Sequence, residues 1–389
     1  MEQEILRALF PLMVERRRHL HRHPELSFKE KATSAFVAEV LQRLGVEVST
    51  NVGGFGLVGN IRGSLPGKTV ALRADMDALP IHDEKICEYA SQTPGVMHAC
   101  GHDGHTATLL AVAEYFCKMK DQLRGQIRLI FQPAEETYPG GAASMIEQGV
   151  LDGVDAIYGV HLWTPITVGT VASAPGPLMA STDEFFIDIQ GRGGHGGMPH
   201  KTIDSVVAAS ALVMQLQSIV SRSIDPLDPA VVTIGSIQGG TAQNVIADRC
   251  RLSGTARCFR EDTREMIRSR IYDLAEGTAK GYGAEASITY MMGYPSTIND
   301  EHEFDRFFRV APSVFGVKAE ISPKIMPAED FSYYLQRVPG CFMLVGAGNS
   351  EKSADRPHHH PKFDIDEDAM LYAAGLLITM AESYMEEHA

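Results

Sequence analysis

The chain reads as an α/β protein, a mixed, mostly parallel sheet flanked by helices, with a smaller α+β domain inserted into it. Three observations predict this. Short apolar segments at 55–61, 68–74, 126–131 and 155–161 alternate with helical patterns, best at 105–120. Strands separated by helices build largely buried sheets. From about residue 181 the order changes to strand, helix, two strands, helix, strand (βαββαβ), and after about 293 helix-rich sequence returns. The expected division is a discontinuous domain, 1–180 plus 293–389, and an inserted domain, 181–292. A length of 389 residues suits two domains.

Taken in order, residues 2–22 carry apolar side chains at helical spacing, with Pro11 as an expected break or kink. Residues 29–44 form a second helix stopped near Gly45. In the insert, DEFFIDIQG (183–191) alternates as a strand, and 203–221 is a helix with a stripe of small residues. VVTIGSIQGG (231–240) and CRLSGTARCF (250–259) are strands, 262–281 is a helix, and EASITYMMG (285–293) is a strand. Beyond the insert, CFMLVGAG (341–348) is a buried strand and 366–386 the last helix. The flanking APGPLMAS (174–181) and MGYPST (292–297) contain Pro and Gly and can serve as hinges.

Composition excludes several classes. Lys plus Arg is 35 against 49 Asp plus Glu, a net charge of −14 with no basic cluster. That argues against nucleic acid or an anionic membrane surface as partner. No apolar run approaches the roughly 18–20 residues of a membrane span. At the N-terminus acidic residues precede the apolar stretch and a basic cluster follows it, unlike a secretory signal, so a cytoplasmic location is expected. Six irregularly spaced Cys do not form a disulfide framework and are expected to be reduced.

The 15 His are clustered, and the clusters carry the chemistry. MHACGHDGHTA (97–107) places Cys100, His102, Asp103 and His105 within six residues, separated by glycines that allow close packing around an ion. Thiolate and imidazole suit Zn²⁺ and its neighbours. A helix starting at His105 would favour the Cys100 thiolate. FQPAEET (131–137) follows an apolar strand, so Glu135 and Glu136 sit where α/β sheets bind ligands. If the two carboxylates diverge, one can bind metal and the other move a proton. YGVHLW (158–163) puts His161 at a strand's carboxyl end, and PHHHPKFDIDED (357–368) offers three His before the last helix. RADMDALP (73–80) supplies Asp75 and Asp77, as ligands, turn formers or carboxylates that orient a ligand His, the last favoured for Asp77. In the insert, GRGGHGGMPH (191–200) surrounds His195 with glycine, making it a candidate oxyanion donor on a mobile element. The same insert adds Asn244 in GGTAQNVIAD (239–248) and Arg257 in GTARCF (254–259), and an Arg can grip a carboxylate through two hydrogen bonds.

These motifs, with HRHPELSF (21–28), NVIAD and GTAR, run in order through nearly the whole chain. Together they resemble the metal-dependent amidohydrolases that include bacterial N-acyl-L-amino-acid amidohydrolases (aminoacylases), hippurate hydrolases and auxin-conjugate hydrolases. The resemblance implies a two-metal catalytic domain and an inserted lid domain often used for dimerisation. It implies Cys100, His102, Glu136, His161 and His359 as metal ligands, and Glu135 as general base. His195 and Asn244 would meet the reacting carbonyl or the substrate, commonly from a partner subunit, and Arg257 would bind substrate. Related branches carry a carboxylate where Cys100 stands, and His358 occupies a position that is often apolar. Two divalent ions are expected, Mn²⁺ or Zn²⁺, with Co²⁺ and Ni²⁺ as alternatives. The expected activity is hydrolysis of N-acetyl or N-benzoyl amino acids by metal-activated water. A carboxypeptidase or dipeptidase of the same fold, or a non-catalytic metal-binding relative, are the rival readings. The expected assembly is a homodimer or larger through the lid.

Overall fold

The structure is a computed structural model that describes residues 2–389. Its chain divides into two compact units: one runs to Leu178 and continues in Thr297–Pro323 and Asp330–Ala389, the other is Met179–Ser296 with Lys324–Glu329.

The first unit is built on an eight-stranded sheet. Across it the strands lie in the order Glu47–Val52, Gly56–Arg62, Arg124–Gln132, Leu65–Asp75, Ala156–Thr167, Gly340–Gly348, Thr170–Ser173 and Lys318–Ile321. The central four, from Arg124–Gln132 to Gly340–Gly348, are mutually parallel. They read as near-continuous apolar runs because helices cover the sheet. His102–Lys118 and Ala369–Glu387 pack on it and on each other, burying Leu109, Leu110, Phe116, Leu376 and Ile378. The N-terminal helix is continuous from Glu2 to Arg22 with Pro11 inside it, so the expected break does not occur. Burial of Leu6, Leu9, Met13 and Leu20 along one face outweighs the backbone bond that Pro11 removes.

The second unit is an antiparallel four-stranded sheet in the order Ala230–Gly239, Arg249–Cys258, Asp183–Gln190, Glu285–Met292. The helices Ser205–Ser218 and Glu261–Gly281 pack on it, enclosing Phe185, Ile187, Ile189, Leu212, Leu252, Ile267 and Ile271. The Asp204 carboxylate accepts from the backbone N–H of Val206 and Val207 and so starts the first of these helices.

Candidate metal centre

Register brings the candidate residues of the first unit to one level. Asp75 pairs with Gln132, and Arg73 pairs with Gly159 in parallel register. Two residues beyond that second pair, Asp75 and His161 stand at the same height on neighbouring strands. Residues 133–136 leave the sheet at this height. The expected strand end at His161 is not observed. The strand continues to Thr167 because Leu162, Trp163 and Thr167 keep pairing with Val345, Gly346 and Gly348.

The 97–107 motif turns into its helix at His102, three residues before the expected start. Gly101, at φ 96°, makes the turn that a side chain would resist. A Cβ on Gly104 would come within 2.6 Å of Leu162 Cδ1, so this helix lies against the His161 strand only because residue 104 is glycine. Cys100, His102 and His161 converge, their ligand atoms all within 4.8 Å of one another, with Cys100 Sγ 3.4 Å from His161 Nε2. Cys100, Glu136 and His359 form a second such triad, with His359 Nε2 3.4 Å from Glu136 Oε1. Glu135 and Glu136, which follow the left-handed Ala134 at φ 54°, each bring an oxygen to His102, and Glu136 alone of the two also groups with Cys100 and His359.

Hydrogen bonds sort the remaining imidazoles. The His102 Nδ1 position lies 3.0 Å from the Asp77 carbonyl and 3.2 Å from its carboxylate, and His161 Nδ1 lies 3.0 Å from the Leu162 carbonyl. Each therefore points its other nitrogen into the cluster. His105 is spent on both sides: Nδ1 is 2.6 Å from Asp75 and Nε2 accepts from the Leu162 N–H. His358 stacks on Trp163 and directs Nε2 to the Leu162 carbonyl, and His360 Nδ1 accepts from the Lys362 N–H. Of the three consecutive His, only His359 reaches the cluster: at φ 66° it donates its backbone N–H to Ala99, beside Cys100. Asp103 turns the other way, to Arg17 Nε at 2.8 Å and His21 Nδ1 at 2.7 Å, which ties the 21–28 motif to the helix.

The electrostatics call for a cation. Burial, with the carboxylates of Glu136, Glu135 and Asp75, pushes the Cys100 thiol well up while no cation is bound. Burial alone would lower His102, but Asp75, Asp77 and Glu136 outweigh it and raise the imidazole to about 10. His102 Nε2 and Glu136 Oε1 are buried, 3.9 Å apart and without a hydrogen-bond partner. A divalent ion among these thiol, imidazole and carboxylate donors would satisfy both atoms and favour the thiolate. The residues therefore fit a bound metal.

In the second unit, His195 and Asn244 meet on the short ladder Gly194–His195 with Val245–Ile246, where Gly196 N–H donates to the Asn244 carbonyl. Both are exposed. His195 Nδ1 accepts from Gly197 N–H, which leaves Nε2 as the donor nitrogen. Arg257 is half-buried and donates to the Met326 carbonyl at 3.2 Å.

Sequence reasoning missed the layer beneath the cluster. Arg73 bridges Gln132, Asp75 and Asp330, the last at 2.8 Å. Glu30 is fully buried and holds Ala134 N–H. No local pattern in the sequence points from Glu30 to residue 134, because the two are 104 positions apart.

Residues 71–383 match the family model described as peptidase family M20/M25/M40. An N-acyl-L-amino acid amidohydrolase of Geobacillus stearothermophilus is 47% identical over 283 residues, covering 73% of this chain and 76% of that one. Thermostable carboxypeptidase 1 of Saccharolobus solfataricus is 42% identical over 372 residues, 95% and 94% of the two chains. The crystal structure of the Bacillus subtilis YXEP protein, described as a dinuclear metal binding peptidase from the M20 family, superposes with a TM-score of 0.86 at 35% identity, covering 98% of this chain and 99% of that one. With the strand-end cluster carried by matching sequence along almost the full length, the chain belongs to the peptidase family M20/M25/M40.

Proposed function

We propose that this hydrolase cleaves the amide bond of N-acyl-L-amino acids, of N-acetyl or N-benzoyl type, to a carboxylate and a free amino acid. The observation that carries the reading is the convergence of Cys100, His102, Glu136, His161 and His359 around unpartnered buried atoms, with Glu135 beside them. Those five residues would hold two divalent ions, Cys100 being common to two triads. Bound ions would supply Lewis acidity, polarising a carbonyl and making water more acidic. Glu135, 6% exposed, takes the proton of the attacking water and passes it to the leaving nitrogen. His195 donates Nε2–H to the carbonyl oxygen as it gains charge. Asn244 and Arg257 read the substrate's carboxylate. Asp77 fixes the His102 tautomer.

The thiolate and imidazoles suit Zn²⁺ and the carboxylate suits Mn²⁺, with Co²⁺ and Ni²⁺ next. All six cysteines are free, and no helix among the described residues is long and apolar enough to cross a membrane. A reducing cytoplasm keeps Cys100 competent. The second unit serves as lid and dimerisation surface, its edge strand Ala230–Gly239 exposing Ile237.

A carboxypeptidase or dipeptidase activity is the second reading, because a relative covering 95% of this chain is named thermostable carboxypeptidase. One preparation is assayed on N-acetyl-L-methionine, hippurate and dipeptides, as purified, after chelation, and after adding Mn²⁺, Zn²⁺ or Co²⁺. Amide hydrolysis lost on chelation and restored by metal supports the main reading. Turnover confined to dipeptides supports the second.

A further inference from the structure

We propose that Glu30 is a positioning residue for Glu135, the centre of a clamp formed by residues 25–30. The proposal rests on the reading of Glu135 as the general base.

A carboxylate with no exposed surface needs a reason to be inside. Glu30 precedes the helix Lys31–Arg43, but it does not cap it. Glu25 does that, accepting from the N–H of Ala32 at 3.1 Å and Thr33 at 2.8 Å. Glu30 is 0% exposed, and its Oε1 accepts from Phe28 N–H at 2.9 Å and Ala134 N–H at 2.8 Å. Both donors are left-handed non-glycine residues, Phe28 at φ 62° and Ala134 at φ 54°. Such conformations persist where surrounding contacts over-determine them. One carboxylate oxygen thus holds two strained turns together, and the second turn is the one that sends Glu135 and Glu136 toward His102.

The rest of the clamp acts on the same segment. Asp77 Oδ2 accepts from Glu136 N–H at 3.0 Å and from the Ser27 hydroxyl at 2.7 Å. The Thr137 hydroxyl donates to Ser27 Oγ at 3.1 Å. The backbone on either side of Glu135 is therefore pinned, at Ala134 by Glu30 and at Glu136 by Asp77. This gives the 21–28 motif and the residues just after it a task in the site without any contact with metal or substrate. Glu30 Oε2 has no partner, and burial raises the carboxyl to about 7. The useful atom is one acceptor oxygen, and a neutral amide offers the same atom.

The test compares Glu30→Gln, Glu30→Asp and Glu30→Ala in the metal-loaded protein. Glu30→Gln should keep kcat within about three-fold, because its amide oxygen can take both N–H groups. Glu30→Asp, one methylene short, and Glu30→Ala should lower kcat by about 10²-fold, the cost of displacing a reacting group by about 1 Å. KM should not change, and metal should be retained because Asp77 still holds Glu136 N–H. A crystal structure of Glu30→Ala should find Ala134 out of the left-handed region. If Glu30→Ala does not fold, Glu30→Asp carries the comparison. Wild-type kcat in Glu30→Asp or Glu30→Ala overturns the proposal, as does a Glu30→Gln enzyme as slow as Glu30→Ala, or a loss explained by missing metal. Should the wild type cleave no N-acyl amino acid, the substrate reading fails. The backbone of residues 134–136 and the variants' rates on dipeptides still decide the clamp.

Discussion

His102 and His195 both lie in glycine-rich segments, yet they are held in opposite ways. His102 is 1% exposed, sits in the first turn of a buried helix, and has its Nδ1 fixed on Asp77. His195 is exposed, sits on a two-residue strand flanked by Gly193, Gly194, Gly196 and Gly197, and takes one hydrogen bond from Gly197. The same contrast separates the two sets of candidate residues. Of those that would bind ions, Cys100, His102 and His161 are buried, and Asp77 and the Leu162 carbonyl hold the spare ring nitrogens of His102 and His161, while His359 is exposed. His195 and Asn244, which would meet substrate, stand at an exposed ladder. An ion site gains from being preformed, since any slack weakens every ligand at once. A group that must admit a substrate and then engage the transition state gains from freedom to move.

Variants can break this contrast. The largest effect is expected in the buried set. His102→Ala should lose both bound metal and turnover. Glu135→Gln should keep its metal and lower kcat by about 10²–10⁴-fold. Metal content by elemental analysis beside kcat separates them, and near wild-type turnover in Glu135→Gln would remove the base assignment. A smaller loss, about 10²–10³-fold in kcat, is expected for His195→Ala, with metal content and Tm unchanged. Metal loss in that variant would mean that the exposed set is part of the ion site after all. Smaller again is Asp77→Asn, which should weaken metal binding by about 10–100-fold in a chelator competition. It should also lower kcat, because Asp77 anchors Glu136 N–H. Unchanged affinity would mean that the His102 tautomer is fixed by the Asp77 carbonyl alone.

The division also explains what could be read without coordinates. Cys100, His102, Glu136 and His161 are legible because each motif is local and its chemistry is carried by residue type. His359 could not be separated from His358 and His360 on residue type alone, since the choice depends on a left-handed backbone and on a bond to Ala99. The groups beneath the cluster were illegible because their partners are remote. Arg73 and Asp330 are 257 residues apart, and Glu30 and Ala134 are 104 apart. Elements follow the same rule. The strand Glu47–Val52 is polar and mostly exposed at a sheet edge, so no apolar pattern marks it. The strand through His161 outruns its apolar stretch because a neighbouring strand extends it.

The smallest effect tests how far burial governs the ion site, through two imidazoles four residues apart whose contributions to stability should have opposite signs. His98 is 1% exposed, neither ring nitrogen has a hydrogen-bond partner, and burial lowers it to about 4. Between pH 4 and its unfolded value near 6.5, the unfolded chain binds more protons at this residue, so stability should rise with pH across that window. His102 is displaced upward, to about 10 in the absence of metal. From about pH 6.5 to 10 the folded chain binds the extra proton, so stability from this residue should fall as pH rises. Thermal melts of the chelated protein should therefore give a Tm that climbs and then declines, by about 2–4 °C for each kcal/mol of stability gained or lost. Subtracting His98→Gln should flatten the acidic limb alone. Saturating metal should abolish the alkaline limb alone, because the ion takes the Nε2 lone pair that the proton held. An alkaline limb that persists in the metal-loaded protein would place the ion away from His102.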